Sequence, residues 1–260
     1  CGLCMEKCPK KVESEFEEGL APRKAIYRNS PQSVPNKPVI DRENCIWFVK
    51  GKCGACQKNC PSGAIDFDQT ETVFPVEVGA IILATGYDVL DPTPLTPYGF
   101  GRYPEVYTGL QFERLNNAVG PTGGRIVMKN GKAPESVAII HCVGSRDVNH
   151  HEYCSRVCCM YALKYAHLIK DKVGHQAKVY NFYIDLRCFG KGYEEFSRRV
   201  QEEGVTFVRG RPAEVTDQAQ TPSEEGKLVV VAEDTLLGAP VRVPVDMVVL
   251  CTAMEPRSDA

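Results

Sequence analysis

The sequence predicts an α/β fold in which a doubly wound, Rossmann-like sheet is joined to a ferredoxin-like α+β module for two iron–sulfur clusters. Two observations predict it. After residue 135, apolar strand patterns at 136–140, 177–184 and 205–208 alternate with helical patterns, which is the order of a parallel sheet with crossover helices. Before residue 61, seven cysteines form two runs that each end in a cysteine followed by proline, as in bacterial ferredoxins.

The two cysteine runs indicate a pair of 4Fe–4S clusters. They read Cys1-x2-Cys4-x3-Cys8-Pro9 and Cys45-x7-Cys53-x2-Cys56-x3-Cys60-Pro61. Zinc is the alternative, but zinc ribbons use paired C-x2-C units and do not usually continue to C-x3-C-P. In two-cluster ferredoxins the last cysteine of each run binds the other cluster. Cys8 is therefore expected to join the first three cysteines of the second run, and Cys60 to join Cys1 and Cys4. The last set lacks one ligand, which we expect upstream of Cys1.

Composition places limits on location and partners. The 260 residues carry a net charge of −2, with no apolar run of membrane-spanning length and no signal-peptide pattern. This balance gives no argument for nucleic acid or an acidic membrane surface. The 13 cysteines are odd in number and bunched, which favours a reducing compartment and hence the cytoplasm. Because the chain starts at Cys1 and stops soon after a strand pattern, we expect it to be a piece of a longer protein.

The connecting segments give weaker signals. Residues 13–44, with an acidic patch and several prolines, predict an irregular excursion between the cluster loops. Val78–Ala84 predicts a buried parallel strand, followed by Thr85-Gly86. The resulting Ala-Thr-Gly recurs in flavoproteins with two dinucleotide-binding domains, although three residues carry little weight. Residues 91–104 predict an exposed connection, and 108–118 a helix capped by Thr108. Residues 227–231 and 241–243 predict a hairpin or meander, and 246–252 a buried strand.

Four cysteines lie where the parallel sheet would bind a nucleotide. The turn after the strand at 136–140 contains one glycine, Gly144, and therefore lacks the glycine-rich phosphate loop of a dinucleotide site. Its cysteines are open to three interpretations: apolar packing, disulfide bonds, or a metal centre. These residues are Cys142, Cys154, Cys158 and Cys159. We interpret Cys251 as core packing, leave Cys188 ambiguous, and interpret the five histidines as structural or surface residues.

Several longer segments resemble the A-subunit of heterodisulfide reductase. The resemblance is carried by RKAIY at 23–27 with PQSVP at 31–35, by 79–86, by CVGSRD at 142–147, by YCSRVCCM at 153–160 and by FGKGYEEF at 189–196. Matches of this kind run along nearly the whole chain. The cysteine-rich and FGKGYEEF segments are highly specific, whereas the ferredoxin runs and Ala-Thr-Gly are much less so.

The resemblance implies a fold and a set of cofactors. The fold would be a thioredoxin-reductase-like core with an inserted two-cluster ferredoxin module, divided into 1–70 (ferredoxin-like), 71–134 (part of an FAD domain and a connection) and 135–260 (Rossmann-like). Four cysteines of the Rossmann-like region, Cys142, Cys154, Cys158 and Cys159, would hold a non-standard 4Fe–4S centre. Ala84, Thr85, Gly86 and Lys164 would contact FAD, with Lys164 near the flavin ring. The family's FAD-phosphate segment and its last flavin-contacting segment are expected outside residues 1–260.

The resemblance also implies a function. The protein would be an electron-transfer oxidoreductase component within a hetero-oligomer. It would link a low-potential donor (hydrogenase, formate dehydrogenase or ferredoxin) to partner subunits that reduce a disulfide, with flavin-based bifurcation possible in the family. The alternative is an NAD(P)H-dependent flavin and iron–sulfur oxidoreductase of the glutamate synthase small-subunit type. Its weak point is the glycine-poor turn after Ile140. A third hypothesis is a cluster-bearing scaffold without flavin.

Overall fold

A computed structural model of the protein describes residues 1–259, and its chain divides into two compact units. The first unit comprises Cys1–Ala84, and the second begins at Thr85. In the described part of the chain, no helix combines the length and the apolar character that crossing a bilayer requires. The division falls inside the predicted FAD-domain segment, so the three predicted domain boundaries stay predictions.

The first unit is made of short elements around an apolar cluster. In chain order these are α1 (Leu3–Lys7), β1 (Lys11–Glu13), β2 (Pro22–Lys24), β3 (Ile26–Tyr27), β4 (Val39–Ile40), α2 (Ile46–Lys50) and α3 (Ala55–Lys58). β1 pairs antiparallel with β2, and β3 with β4. The core cluster contains Ala25, Ile26 and Phe67 together with three of the cysteines. Cysteines are thus part of the core of this unit.

The excursion at 13–44 is more ordered than the sequence suggested. Its two antiparallel pairs satisfy backbone hydrogen bonds that an irregular loop would leave to water. Arg23 explains part of the acidic patch, because its guanidinium lies 2.6 Å from Glu15 and 3.0 Å from Asp41 and stacks over the ring of Tyr27. The prediction of an irregular segment was therefore wrong for the three short strands β2, β3 and β4.

The predicted strand Val78–Ala84 is absent. Residues 72–86 have no helix or strand, and Ile81, Ile82 and Leu83 are 78%, 91% and 83% exposed. A strand needs a neighbour for its backbone groups, and no described strand lies alongside this segment. The apolar pattern indicates a segment whose burial would be energetically favourable, but no part of residues 1–259 buries it.

The second unit contains a parallel sheet and its crossover helices. In chain order its elements are β5 (Tyr87–Val89), β6 (Val106–Thr108), α4 (Gly109–Asn116), β7 (Ser136–Val143), α5 (Cys158–Lys172), β8 (Lys178–Tyr183), α6 (Tyr193–Glu202), β9 (Thr206–Arg209), β10 (Glu214–Thr216), β11 (Leu228–Asp234), β12 (Ala239–Val245), β13 (Met247–Thr252) and β14 (Met254–Pro256). The predicted order of strands and helices from residue 136 to 209 is confirmed, which supports the α/β class.

Five parallel strands form the main sheet in the order β6-β13-β7-β8-β9. All eight residues of β7 and all six of β13 are buried, as expected of central strands covered on both faces. β10, β11 and β12 form a separate antiparallel sheet, which confirms the predicted hairpin, and β14 pairs with β5. Thr108 caps α4 in a capping box with Gln111, also as predicted.

The connection at 91–104 packs more tightly than predicted. Leu95 and Tyr98 are buried, at 7% and 8% exposure, and join the core cluster of the main sheet. A single 3₁₀ turn at Thr96–Tyr98 places them there. The prediction of an exposed connection was wrong because it was based on the prolines and glycines of this segment and did not take account of its two large apolar residues.

Candidate metal centres

Four cysteines of the first unit line one cavity. They are Cys8, Cys45, Cys53 and Cys56, and the cavity has an empty volume of about 350 Å³. This is the set expected from the crossed ligation of two-cluster ferredoxins. Cys8 ends α1, Cys45 begins α2 and Cys56 lies in α3, so three helix boundaries bring the thiols together. Cys53 sits between α2 and α3 with a φ of 108°.

The remaining walls of this cavity are largely apolar. Ile26, Ile40, Trp47 and Phe67 line it, and Trp47 stacks on Phe67 with ring centroids 4.6 Å apart. Burial raises the pKa of the Cys56 thiol, and the neighbouring thiols of Cys45 and Cys8 raise it further. Such thiols readily release their protons to solvent only when they bind a metal, whose positive charge stabilises the thiolate in place of water. Four thiols around an apolar cavity fit the donor set of an iron–sulfur cluster.

The other three cysteines of this unit are less closely grouped. Cys1 is exposed and Cys4 buried at the start of α1, which packs on α3, while Cys60 follows α3. The Cys60 thiol accepts a hydrogen bond from the backbone N–H of Ala64 at 3.3 Å and contacts Ser62 Oγ at 3.5 Å. The contacts described for these thiols do not join them, so the second ligand set stays a prediction.

In residues 1–259 no three His, Cys, Asp or Glu side chains are arranged around a single ion. Each thiolate of an iron–sulfur cube binds a different iron, so its cysteines stand farther apart than the ligands of one ion.

The second unit places its thiols at the carboxyl end of β7. Between the pairs Leu250–Ile140 and Thr252–Val143, β13 contributes one residue and β7 two, which is a β-bulge. The extra residue accompanies a left-handed Cys142, with φ 58°. A non-glycine residue in that region is strained by about 1–3 kcal/mol, and such strain is commonly found at functional sites. The bulge thus gives Cys142 a backbone conformation different from that of a regular strand residue.

The predicted cysteines of this unit interact with one another. Burial raises the pKa of the Cys158 thiol to about 12, and the thiols of Cys142, Cys159 and Cys154 add to the rise. Burial likewise raises the pKa of Cys142, with the thiol of Cys159 as the next contribution. Cys158 and Cys159 form the first turn of α5, and Cys154 lies in the loop before it. The structure therefore brings all four into one neighbourhood, as a metal centre requires.

Cations and hydrogen bonds surround this group. Arg211 donates to the carbonyl oxygens of Cys142 and Ser145, at 3.2 and 3.0 Å, and lies 3.3 Å from Asp147. The backbone N–H of Arg156 donates to the Cys154 thiol at 3.3 Å. The positive charges of Arg146 and Arg211 work against the rise in the pKa of Cys142. These groups favour negative charge on the sulfurs, and the donor set fits an iron–sulfur cluster.

Cys251 is a neighbour of this group that sequence reasoning missed. Its side chain is fully buried in β13, as the core-packing interpretation predicts, but its pKa is raised by burial and then by the thiol of Cys158, with Cys142 and Cys159 contributing as well. The signal was available, because adjacent parallel strands end at the same edge of a sheet. Cys188 is half-buried; burial raises its pKa and the thiol of Cys159 raises it further, so it too lies near the group.

Lys164 lies between two cavities on the same helix. Its ammonium is 2.5 Å from Glu113 and 5.0 Å from the centroid of the Tyr165 ring. One cavity, with an empty volume of about 600 Å³, is also lined by Glu113, Tyr165 and Thr252. The other is an open apolar groove that includes Val157, Met160 and Phe189. An aromatic pocket with one ion pair can hold the edge of a planar cofactor.

The predicted FAD contacts at Ala84, Thr85 and Gly86 lie in the exposed segment 72–86. Ala84 ends the first unit and Thr85 begins the second. Gly86 has a φ of 80°, which a residue with a side chain rarely adopts. These three residues do not line the cavities described above, and their role stays a prediction.

Comparison with known proteins identifies the family. Residues 1–64 match the family model of the 4Fe-4S dicluster domain. Over 259 residues the chain is 46% identical to the A-subunit of the H(2):CoB-CoM heterodisulfide,ferredoxin reductase of Methanothermobacter thermautotrophicus, an alignment that covers 98% of the chain. It is 48% identical over 263 residues to the iron-sulfur A-subunit of the CoB–CoM heterodisulfide reductase of Methanocaldococcus jannaschii, covering 100% of the chain. The chain belongs to the heterodisulfide reductase A-subunit family. It spans 38% of the length of both of these relatives.

Another relative is also the A-subunit of a heterodisulfide reductase. The A-subunit of the Ferredoxin/F(420)H(2)-dependent CoB-CoM heterodisulfide reductase of Methanosarcina acetivorans is 44% identical, over 99% of the chain and 31% of the relative. Among solved structures, thioredoxin reductase from T. acidophilum matches 67% of the chain and 44% of its own, with 13% identity and a TM-score of 0.37. That score is too low to support an argument, so the fold class rests on the parallel sheet itself.

Proposed function

We propose that the chain is the cofactor-bearing part of an electron-transfer protein, one that passes electrons between a low-potential donor and partner subunits that reduce a disulfide. Two ferredoxin-type 4Fe–4S clusters in the first unit, a third non-standard cluster in the second, and FAD would be its cofactors. A flavin takes up electrons in pairs and releases them singly to clusters, and bifurcation at the flavin is one use of that property.

One observation carries the proposal: α5 connects the thiol group to the aromatic cavity. Cys158 and Cys159 form its first turn, and Lys164 follows Cys159 by five residues, which is a rise of about 7.5 Å along a helix. Tyr161, between them, lines both cavities that contain Lys164 and contributes a hydrogen bond to Cys251. One helix thus carries two of the proposed metal ligands and residues of the candidate flavin pocket.

The residues of the pocket have definable roles. Glu113 holds the Lys164 ammonium by an ion pair, which keeps the positive charge at the cavity wall. A cation at that wall would stabilise a reduced, negatively charged ring. Tyr165 donates to the carbonyl oxygen of Gly109 at 2.9 Å and so fixes α5 against the start of α4. The chain's part is to place a charge and to shape the cavity.

An anaerobic reductive titration tests the proposal. The chain is purified without oxygen, its iron and acid-labile sulfide are counted, and FAD is added. Reduced ferredoxin and dithionite should bleach both cluster and flavin absorbance, whereas NADH and NADPH should not. The turn after Ile140 contains one glycine, too few for a nicotinamide nucleotide. Rapid bleaching by NADPH would favour the glutamate-synthase-like alternative, and a complete lack of flavin binding by the longer relatives would favour the scaffold hypothesis.

A further inference from the structure

The segment around the first thiol cavity is unusually free of acidic residues. Residues 44–65 contain three lysines and no aspartate or glutamate, with Glu43 and Asp66 as the acidic residues that flank them. Lys50 ends α2, Lys52 precedes Cys53, and Lys58 ends α3. All three are exposed. We call Trp47, Lys50, Lys52, Cys53 and Lys58 the lysine face.

The charges of these lysines are not neutralised within the unit. In residues 1–259 none of the three lies within 4 Å of a carboxylate, whereas Lys7 pairs with Glu6 at 2.8 Å and Arg23 with both Glu15 and Asp41. A chain with a net charge of −2 thus presents a local excess of positive charge. Exposed charges of this kind act over about 8 Å at physiological salt, which suits the steering of an approaching partner.

The same segment forms the wall between the thiol cavity and solvent. Trp47 and Cys53 line the cavity, yet Trp47 is 37% exposed and Cys53 is also exposed. Beside them Val49 is 58% exposed. An apolar, aromatic centre with a charged rim is the usual anatomy of a protein interface. Here the centre of that interface would cover a wall of the candidate cluster site that is itself exposed to solvent.

We propose that the lysine face is the docking surface for an acidic one-electron carrier protein. This assignment rests on the proposed function and adds the place of entry. One electron leaves the reduced carrier and enters the oxidised cluster site of the first unit, with no bond formed or broken and no proton transferred. Electron-transfer encounters use small interfaces, below about 1,200 Å², a size that one short segment with three exposed lysines and an exposed tryptophan can provide.

Charge reversal tests the surface. In the variant Lys50→Glu/Lys52→Glu/Lys58→Glu, the second-order rate constant for reduction by an acidic bacterial two-cluster ferredoxin, measured by anaerobic stopped flow, should fall about tenfold or more at low ionic strength. The control Lys129→Glu/Lys132→Glu/Lys178→Glu changes the net charge equally at exposed positions of the second unit and should lower it less than about twofold. At about 1 M salt, where the Debye length is about 3 Å, the two variants should agree.

A second electron carrier, of opposite charge, shows whether a slower rate comes from the changed surface charge or from damage to the protein. Electron transfer from the reduced chain to cytochrome c, which is basic, should not be slowed by the reversal. Equal iron content in all proteins and an intermediate effect of Lys50→Ala/Lys52→Ala/Lys58→Ala would further support the assignment. Identical ferredoxin rates in reversal and control variants would overturn it, as would slowing that is independent of salt.

Failure of the surface can be told from failure of the function. If dithionite reduces no cluster in the unsubstituted chain, the proposed function itself is wrong. If dithionite reduces every variant equally and ferredoxin still does not distinguish them, only the docking surface is wrong. Release of the chain from anionic phosphatidylserine vesicles by the same lysine substitutions, with unchanged ferredoxin rates, would assign the lysines to a membrane surface instead and overturn the proposal.

Discussion

Replacing Asp246 should destabilise the sheet that carries the second thiol group. Asp246 precedes β13, and its Oδ2 accepts from the backbone N–H groups of Glu135 and Ser136, at 2.9 and 3.0 Å, and from the Ser136 hydroxyl at 3.0 Å. Its Oδ1 pairs with Lys227, and the carboxylate side chain is 12% exposed. One carboxylate therefore aligns the starts of β13 and β7, the strands that carry Cys251 and Cys142.

The magnitude follows from the bonds that are lost. A hydrogen bond to a charged group contributes about 1.5–3 kcal/mol, and removing one partner of a buried ion pair costs about 3–5 kcal/mol. Because Lys227 can turn towards water, we expect the free energy of unfolding of Asp246→Ala to fall by about 3 kcal/mol. For a unit of roughly 175 residues this lowers Tm by about 6–12 °C. Asp246→Asn keeps a hydrogen-bond acceptor, so its free energy of unfolding should lie between those of Asp246→Ala and the wild type.

The effect should depend on pH in a defined direction. Burial works against the charged carboxylate, but the bonds from Lys227 and Ser136 outweigh it and hold the pKa of Asp246 below its ordinary value of 3.8. A carboxyl group whose pKa is lower in the folded than in the unfolded state stabilises the fold at pH values above its unfolded-state pKa. This stabilisation is lost as the pH falls through its folded-state pKa. The wild-type advantage should therefore be constant from pH 7 to about 4 and shrink below that.

Thermal unfolding followed by far-UV circular dichroism measures this effect. The matched control is Asp171→Ala, at an exposed position of α5, which should change Tm by less than about 2 °C. Comparing each variant with wild type in the same buffer removes the common effect of acid on any cluster. A Tm of Asp246→Ala within 2 °C of wild type at pH 7 would refute the reasoning, as would an advantage that increases below pH 4.

Three further predictions concern other residues. The pKa of Glu224 is lowered to about 2 because Arg242 donates to it, so Glu224→Gln should reduce the loss of stability between pH 4.5 and 2, measured by denaturant unfolding. Phe112 is fully buried edge-on to Tyr165, and Phe112→Ala should lower the free energy of unfolding by about 3–5 kcal/mol, measured by urea titration. Trp47, the single tryptophan, lines the first thiol cavity, so its fluorescence should fall when iron and sulfide are restored to apoprotein and stay unchanged when zinc is added.

The parallel sheet was predictable because its signals are local. Buried strands such as β7 and β13 are continuous apolar runs, and the cap of α4 at Thr108 is a side-chain motif of four residues. Val78–Ala84 shows the limit of the same rule. An apolar run indicates that burial is favourable, but it does not indicate which neighbouring element buries the run. No described strand pairs with this segment.

The candidate sites were predictable in their members but not in their surroundings. Spacing alone grouped Cys8 with Cys45, Cys53 and Cys56, which line one cavity. The approach of Cys251 to the second group depends on strand order and on a bulge, and neither is encoded in the spacing of cysteines. The pairing of Lys164 with Glu113 joins residues 51 positions apart on two helices, so it too required the fold.

We propose above all that the thiols at the carboxyl end of β7 hold an iron–sulfur centre. Cys154 is the most suitable probe because it is only half-buried and lies in a loop, whereas Cys142, Cys158 and Cys159 are part of the packed core. The decisive measurement is the iron and sulfide content and the electron paramagnetic resonance spectrum of anaerobically purified Cys154→Ala, with Cys188→Ala as the control. We predict that Cys154→Ala loses or alters one cluster signal, with the ferredoxin-type signals retained, and that Cys188→Ala keeps all of them. Full metal content and an unchanged spectrum in Cys154→Ala would contradict the account.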